Sequence, residues 1–131
     1  MKMPFENNSF DGVYAIEATC HAPRREAVYG EIFRVLKPGQ IFACYEWCLT
    51  PKYDPNNALH ALIKKKIEEG DGLPDMARQQ DCVDALVSVG FEVSTTVRFS
   101  IILYPRLTPS PPPPLSAIPL PRGARAFHAS S

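Results

Sequence analysis

The stretch Asp11-Gly-Val-Tyr-Ala-Ile-Glu-Ala-Thr-Cys-His-Ala-Pro23 decides the fold of this 131-residue chain. It begins with an apolar run, residues 13–16, that is typical of a strand buried on both faces of a parallel sheet. Glu17 ends the run, and a predicted loop from Thr19 to His21 precedes a helix. Ligands of open α/β sheets bind outside the carboxyl ends of the strands. The pattern therefore predicts that this strand end carries the chemistry of the protein.

A second apolar run, residues 41–45, also ends on a carboxylate, Glu46, which Trp47 follows. Between the two runs, apolar side chains recur at the spacing of one helix stripe, at Tyr29, Ile32, Phe33 and Leu36. The helix is expected to stop at residues 37–39, Lys-Pro-Gly, because a cation in the last turn is followed there by residues that cannot continue a helix.

Strand, helix and strand in this length form a βαβ unit, so the crossover is expected to be right-handed and the strands parallel. We expect residues near 12–17 and 40–47 to be adjacent parallel strands, with the helix near 24–37 on one face of the sheet. Glu17 and Glu46 are then expected at the same edge of the sheet, where they open into one crevice.

Two further helices and a strand are predicted downstream. One helix begins with Asp54 as its N-cap and ends at Gly70. Its apolar stripe is formed by Leu59, Leu62, Ile63 and Ile67. A second helix spans about 75–89, and residues 91–99 alternate as in a strand. The sequence leaves open whether the apolar stripe covers a ligand or closes a core.

Several strings of this sequence resemble one protein family, the sterol 24-C-methyltransferases. The most specific strings are Tyr14-Ala-Ile-Glu-Ala-Thr-Cys-His-Ala-Pro23, Tyr45-Glu46-Trp47 and Gly70-Asp71-Gly72-Leu73-Pro74. Met3-Pro4-Phe5, Asn8-Ser9-Phe10-Asp11 and Leu36-Lys37-Pro38-Gly39 are similar to the class I methyltransferases in general. The resemblance runs from Met1 to about Phe91. It implies an α/β fold with a partial Rossmann-like sheet, from the fourth strand onward, and flanking helices.

The resemblance also implies a reaction, methyl transfer from S-adenosylmethionine to the double bond of a sterol side chain in sterol biosynthesis. Attack by the alkene leaves a carbocation, so the site needs a dry pocket, groups that stabilise positive charge and a base that removes a proton. Glu17, His21 and Glu46 are the candidate catalytic residues. Glu17 and His21 are the alternatives for the base, and the carboxylates suit the stabilisation of a cation.

Aromatic faces attract a cation, and three aromatic residues lie close to these carboxylates in the sequence. Tyr14, Tyr45 and Trp47 are the candidate substrate-binding residues, and strand alternation places Tyr45 and Trp47 on a face opposite Glu46. The resemblance implies that Ile16 and Glu17 contact the cofactor.

The cofactor loop of the family is not among these residues, since no Gly-x-Gly-x-Gly pattern occurs in the sequence. The resemblance therefore covers the second half of a methyltransferase domain. We expect residues 1–99 to form this partial domain and residues 100–131 to be a proline-rich, disordered tail. The isolated chain is expected to be inactive or nearly so, and to associate through an exposed sheet edge.

Composition excludes several other classes. The formal net charge is +0, which gives no indication of nucleic-acid binding. No apolar run approaches the ~18 residues of a membrane span, and the start, Met-Lys-Met-Pro-Phe-Glu, lacks the apolar core of a signal peptide. We expect a cytoplasmic protein or one at the surface of the endoplasmic reticulum membrane, with peripheral membrane association to reach a sterol.

The four cysteines show neither a disulfide-scaffold spacing nor a Cys-x-x-Cys motif. They are Cys20, Cys44, Cys48 and Cys82. We therefore expect free thiols in a reducing compartment and no metal site.

Two other function classes stay open. One is a methyltransferase for a different small molecule, for which the Leu-Lys-Pro-Gly string alone suffices. The other is an inactive fragment or a polyproline interaction module. Arg106, Pro109 and Pro112 fit the Arg-x-x-Pro-x-x-Pro spacing that SH3 domains bind.

Overall fold

A computed structural model describes residues 2–97 and 100–105 of the chain. Four strands, three helices and one short 3-10 helix follow one another in these ranges. In chain order they are β1 (Phe10–Ile16), the 3-10 helix Thr19–His21, α1 (Arg25–Val35), β2 (Leu36–Tyr45), α2 (Ala58–Asp71), α3 (Gln79–Ser88), β3 (Phe91–Val97) and β4 (Ser100–Pro105). The mixed α/β class predicted from the sequence is confirmed.

The sheet has the strand order β1-β2-β4-β3. β1 pairs with β2 in parallel, and β4 runs antiparallel to both β2 and β3. In the parallel pair, Val13 lies opposite Phe42 and Ile16 lies opposite Tyr45. The prediction of two adjacent parallel strands joined by a helix is thus confirmed.

The helices α1 and α3 cover one face of this sheet and form the core with it. The largest fully buried side chains are Tyr29, Val35, Leu36, Phe42, Leu86 and Phe91. The Phe91 ring meets the ring of Phe33 edge-on at 5.2 Å and that of Phe42 at 5.6 Å. Tyr29 and Ile32 of the predicted helix stripe are therefore buried. The prediction that the helix stops at residues 37–39 is wrong, because α1 ends at Val35 and Leu36 is already the first residue of β2.

The opposite face of β1 is open, which corrects the prediction of a strand buried on both faces. Val13 and Ala15 pack against the core, whereas Tyr14 and Ile16 are 78% and 65% exposed. The reason is that α1 and α3 both lie on the other side of the sheet. Only every second residue of the apolar run, Val13 and Ala15, therefore packs against the core.

The ends of α2 differ from the sequence prediction. Asn57, not Asp54, is the N-cap, and its side chain accepts hydrogen bonds from the backbone N–H groups of Leu59 and His60. The Asp54 carboxylate instead accepts from the N–H of Asn56 in the preceding turn. The helix passes Gly70 and ends at Gly72, whose φ of 66° suits a residue without a Cβ.

The start of α3 also differs, since this helix begins at Gln79 rather than near residue 75. The residues before it fill the interior in a non-helical conformation, with Leu73, Met76 and Ala77 buried. Their backbone is tied to the segment after β2 by a hydrogen bond of 2.7 Å from Leu49 N–H to the Ala77 carbonyl. This tertiary contact prevents an earlier helix start.

The sheet continues past residue 99, where the partial domain was predicted to end. β4 lies inside the sheet, between β2 and β3. The division into residues 1–99 and 100–131 stays a prediction. The predicted disorder of the tail beyond Pro105, and the Arg106, Pro109 and Pro112 spacing within it, lie outside the described residues.

An ion pair on α1 holds the segment that leads into β1. Arg34 pairs with Glu31 at 2.9 Å and donates hydrogen bonds to the carbonyls of Met3 and Phe5. The Glu31 carboxylate accepts a hydrogen bond of 2.7 Å from Met3 N–H. The hydrogen bonds from Arg34 and from the Met3 N–H lower the pKa of Glu31 to about 2.

We expect Arg34→Ala to release this segment without unfolding the sheet. The backbone N–H groups of Asn8 and Ser9, which donate to the carbonyls of residues 34 and 35, should then exchange roughly tenfold faster or more. Lys37→Ala is the matched control, because its ion pair with Asp11 is solvent-exposed. Equal exchange rates in the two variants would contradict the assignment.

The same contacts predict an acid dependence. The folded pKa of Glu31 lies below its unfolded value of ~4.3, so its stabilisation is present above that pH. It is lost as the pH falls from ~4.3 through about 2. Hydrogen exchange of residues 8 and 9 should accelerate over this window relative to the intrinsic rate, and the acceleration should be absent in Arg34→Ala.

Candidate functional site

A cavity of about 450 Å³ lies at the carboxyl ends of the two parallel strands. Its walls come from the end of β2, the segment that follows it, one face of α2, and Met76 before α3. Most of the lining surface is apolar, and seven of the fourteen lining residues are apolar or aromatic: Tyr45, Trp47, Leu49, Tyr53, Ile63, Ile67 and Met76. The polar lining residues are Glu17, Glu46, Cys48, Thr50, Lys52, His60 and Lys64.

Glu17 and Glu46 both line this cavity, and their backbones meet at the same edge of the sheet. The N–H of Glu17 donates a hydrogen bond of 2.7 Å to the carbonyl of Tyr45. This contact continues the parallel ladder by one residue beyond β1. The prediction that the two carboxylates share one sheet edge is confirmed.

The two carboxylates differ in their surroundings, because Glu46 is buried and fully engaged. It is 5% exposed. One of its oxygens accepts from the N–H of Thr19 at 2.9 Å and from the Thr19 hydroxyl at 2.6 Å. The other oxygen accepts from the N–H of Cys20 at 3.0 Å. Glu46 therefore holds the 3-10 helix Thr19–His21 in place beside the cavity.

Glu17 is exposed and adopts a backbone conformation that is unusual for a side-chain-bearing residue. Its φ is 51°, in the left-handed region, where a non-glycine residue costs roughly 1–3 kcal/mol. The hydrogen bond to β2 on one side and the 3-10 helix on the other enforce this turn. Strain of this kind is concentrated at functional sites, and Glu17 is the exposed one of the two carboxylates that line the cavity.

Two of the three predicted substrate-binding aromatic residues line the cavity. Tyr45 and Trp47 are 40% and 41% exposed and project from positions on either side of the buried Glu46. Tyr14 is not among the cavity residues, since it lies on the open face of β1. Ile16, the predicted cofactor contact, lies on the same open face.

His21 also lies away from the cavity lining. Its side chain is exposed, and its Nδ1 lies 3.4 Å from the carbonyl of Gly72 at the end of α2. A carbonyl accepts hydrogen bonds, so the tautomer that donates from Nδ1 suits this contact. His21 thus contacts the end of α2, and the structure does not bring it together with the other two candidate catalytic residues.

The cavity-lining face of α2 overlaps the predicted apolar stripe in part. The lining residues of this helix are His60, Ile63, Lys64 and Ile67, which follow the i, i+3, i+4, i+7 spacing of a helix stripe. The predicted stripe contains Ile63 and Ile67, whereas its other two members, Leu59 and Leu62, are 61% and 53% exposed and do not line the cavity. His60 and Lys64 were not predicted, because a stripe of apolar residues does not include polar side chains.

Tyr53 and His60 form a stacked pair at one wall of the cavity. Their ring centroids are 6.2 Å apart with an interplanar angle of 28°. The N–H of Asp54 donates to Nδ1 of His60 at 3.1 Å, so the neutral ring carries its proton on Nε2. This arrangement leaves a hydrogen-bond donor on a ring that lines an otherwise largely apolar cavity.

Lys64 brings a positive charge to the same wall, where two carboxylates hold it. Burial opposes its charged form, but hydrogen bonds from the ammonium to Asp75 and Glu68 outweigh this effect and raise the pKa of Lys64. The Lys64 charge is therefore neutralised locally.

The site shows no arrangement typical of a metal centre within the part of the chain that the structure describes, where no three His, Cys, Asp or Glu side chains converge. Within residues 2–97 and 100–105, no helix is long and apolar enough to cross a membrane.

The cavity chemistry fits a cationic cofactor or intermediate. An exposed carboxylate, at Glu17, and two aromatic faces, at Tyr45 and Trp47, adjoin a mostly apolar volume. Carboxylates and aromatic faces both attract positive charge, and their attraction is strengthened where water is excluded. A sulfonium group and a carbocation are such charges.

Comparison with known proteins relates this chain to methyltransferases. A family model described as a methyltransferase domain matches residues 1–44. Cycloartenol-C-24-methyltransferase 1 of Oryza sativa is 62% identical over 93 residues, which are 71% of this chain and 27% of the rice protein. A sterol 24-C-methyltransferase of Kluyveromyces lactis is 59% identical over 93 residues, 71% of this chain and 25% of the yeast protein.

Solved structures place the fold in the same class. Geranyl diphosphate C-methyltransferase of Streptomyces coelicolor matches with a TM-score of 0.62 at 17% identity, over 73% of this chain and 33% of the solved chain. The chain therefore has part of a methyltransferase fold. It spans about a quarter of the length of the curated relatives that it matches.

Proposed function

We propose that this chain, a homologue of the sterol 24-C-methyltransferases, forms the substrate-side part of a sterol C-methyltransferase that uses S-adenosylmethionine. The reaction is methyl transfer from the sulfonium of the cofactor to the double bond of a sterol side chain. The observation that carries the proposal is the apolar cavity at the carboxyl ends of the parallel strands, with the Glu17 carboxylate at its edge. The identity to rice and yeast relatives with this named activity supports it.

The proposal assigns a role to each group of this chain. The apolar lining holds the sterol and excludes water, so that a carbocation is not captured by solvent. The Tyr45 and Trp47 rings stabilise the cation, each by about 0.5–2 kcal/mol. Glu17 stabilises positive charge and removes the final proton. The position of His21 outside the cavity lining favours Glu17 over His21 as the base.

Glu46 acts as a positioning residue in this proposal. It is buried beneath the 3-10 helix and uses its oxygens to hold that helix, which follows Glu17 directly. The bound cofactor would supply the methyl group. In this proposal, Ile16 and Glu17 are the residues of this chain that lie near the cofactor.

The proposed setting is the cytoplasm or the surface of the endoplasmic reticulum membrane. Leu59 and Leu62 are exposed on α2, next to the helix face that lines the cavity. Exposed apolar side chains at the rim of a cavity suit contact with a lipid surface from which a sterol is taken. Association through the free edge of β1 is proposed as a second property of the isolated chain.

The test is binding of a side-chain-unsaturated sterol to the 131-residue chain, followed by a methyl-transfer assay after the chain is extended upstream with the segment of the rice relative. We expect sterol binding by the chain alone and turnover only in the extended polypeptide. Turnover with non-sterol acceptors but not with sterols would instead favour the alternative of another small-molecule methyltransferase. Absence of both binding and turnover would contradict the proposal.

A matched pair of tyrosine variants sharpens the binding measurement. We expect Tyr45→Ala to weaken sterol binding about tenfold, because the ring forms part of the cavity wall. Tyr14→Ala removes the same side chain from a neighbouring strand outside the cavity and should leave the affinity unchanged. Equal losses in the two variants, measured by fluorescence or calorimetric titration, would place the sterol elsewhere.

A further inference from the structure

We propose that Cys48 and Cys82 form a redox-sensitive thiol pair, which a hydroperoxide converts to a disulfide at the wall of the cavity. The two Sγ atoms lie 3.9 Å apart. Cys48 lines the cavity, and Cys82 lies behind it in the core, near the start of α3. This property is independent of the proposed methyl transfer.

The backbone around the two cysteines already holds them in a suitable arrangement. Leu49 N–H donates to the Ala77 carbonyl at 2.7 Å, and Leu49 forms a parallel bridge with Arg78. Arg78 in turn is the N-cap of α3, which carries Cys82 in its first turns. Bond formation requires the sulfur atoms to approach from 3.9 Å to the ~2.05 Å of a disulfide.

Access and electrostatics distinguish this pair from the other two cysteines. Cys48 is half-buried and reachable from the cavity, whereas Cys20 and Cys44 are buried. Burial and the neighbouring Glu46 carboxylate raise the pKa of Cys20 to about 12, which keeps that thiol protonated. A small oxidant in the cavity therefore meets Cys48 first.

The contact between the two sulfur atoms shifts the pKa values of the two thiols in opposite directions. It raises the pKa of Cys48, and burial adds to that shift. With Cys48 as the donor, the same contact lowers the pKa of the Cys82 thiol to about 7, while burial opposes this shift. From α1, the Arg25 charge and the Tyr29 hydroxyl also favour the Cys82 thiolate, and the Glu46 carboxylate disfavours it. Near neutral pH the pair accordingly contains a thiolate, which is the nucleophile in thiol oxidation.

The chemistry balances with the hydroperoxide as the oxidant. The Cys82 thiolate accepts the proton of the Cys48 S–H, and the Cys48 thiolate that this transfer produces attacks the terminal peroxide oxygen, so that the O–O bond breaks. This step gives a Cys48 sulfenic acid and an alkoxide, which takes the proton from Cys82 and leaves as an alcohol. The Cys82 thiolate then attacks the Cys48 sulfur and expels hydroxide. Both sulfur atoms are oxidised and the peroxide is reduced.

The experiment exposes the full 131-residue chain to hydrogen peroxide and identifies bridged peptides by mass spectrometry under non-reducing conditions. We expect a Cys48–Cys82 bridge as the dominant product in native buffer and scrambled pairings in strong denaturant. Native oxidation should also accelerate as the pH rises through about 7. The same distribution of products in both solvents, or first modification of Cys20 or Cys44, would overturn the proposal.

Two variants and one stability measurement complete the test. Cys48→Ser should abolish the bridge, and Cys44→Ala, the control, should retain it. Because the bridge closes the loop between β2 and α3, the oxidised chain should unfold roughly 10 °C higher than the reduced chain. An unchanged or lower midpoint, despite a formed bridge, would show that the native arrangement does not accommodate it and would overturn the proposal.

Discussion

Glu46→Ala is expected to destabilise the chain by at least about 3 kcal/mol, the largest stability loss among the changes considered for the site. The carboxylate is 5% exposed and accepts from two backbone N–H groups and one hydroxyl. Removing it leaves the N–H groups of Thr19 and Cys20 buried without an acceptor, and each buried donor left unsatisfied costs ~1–3 kcal/mol.

The measurement is thermal or urea unfolding, in which the midpoint temperature should fall by roughly 10 °C or more. Glu17→Ala is the control, because Glu17 lies at the same sheet edge but is exposed to solvent. A comparable loss in the two variants would show that the hydrogen bonds from residues 19 and 20 do not stabilise the fold. A loss confined to Glu46→Ala identifies it as the residue that supports the 3-10 helix.

Glu17→Gln is expected to lower turnover by ~10²–10³-fold in the polypeptide extended upstream, with little change in folding. The exposed carboxylate supplies the negative charge that the proposed mechanism sets against a sulfonium and a carbocation, and the amide that replaces it has no charge. The loss should lie mainly in kcat rather than in KM, since the charge acts most strongly in the transition state. Turnover within a few-fold of the original would contradict the assigned role.

Glu17→Gly provides an independent check on the same residue. A glycine adopts the φ of 51° without steric cost, so this variant should gain about 1 kcal/mol of stability while its turnover stays low. Such a result would show that the chain maintains a strained residue for its side chain. A loss of stability in Glu17→Gly would mean that the left-handed turn is not strained by its Cβ.

The sequence by itself determined the βαβ unit and the shared edge of the two carboxylates. Both follow from local patterns: two apolar runs that end on Glu17 and Glu46, and a helix stripe between them. A connection of this length allows parallel neighbours, and parallel neighbours end at one edge. The strings around Glu17 and Trp47 also carried the resemblance to the sterol 24-C-methyltransferases, and rice and Kluyveromyces lactis C-24-methyltransferases match this chain at 62% and 59% identity.

Only the tertiary structure decided that Glu46 is buried and hydrogen-bonded whereas Glu17 is exposed. Glu46 binds residues 27 and 26 positions before it, and nothing in its local sequence indicates such contacts. The same holds for His60 and Lys64 of α2, polar residues that line the cavity beside Ile63 and Ile67 of the predicted apolar stripe.

The tertiary structure also decided which strand faces are covered and where the sheet ends. β1 is buried on one face because both packing helices lie on the same side, and β4 enters the sheet through pairing with β2, a contact between residues far apart in the chain. The periodicity of a segment shows which of its residues are apolar. Which element packs against those residues depends on contacts between parts of the chain that are far apart in sequence. For this reason the positions of Glu17 and Glu46 were predictable, whereas the burial of Glu46, the exposure of Tyr14 and the pairing of Cys48 with Cys82 were not.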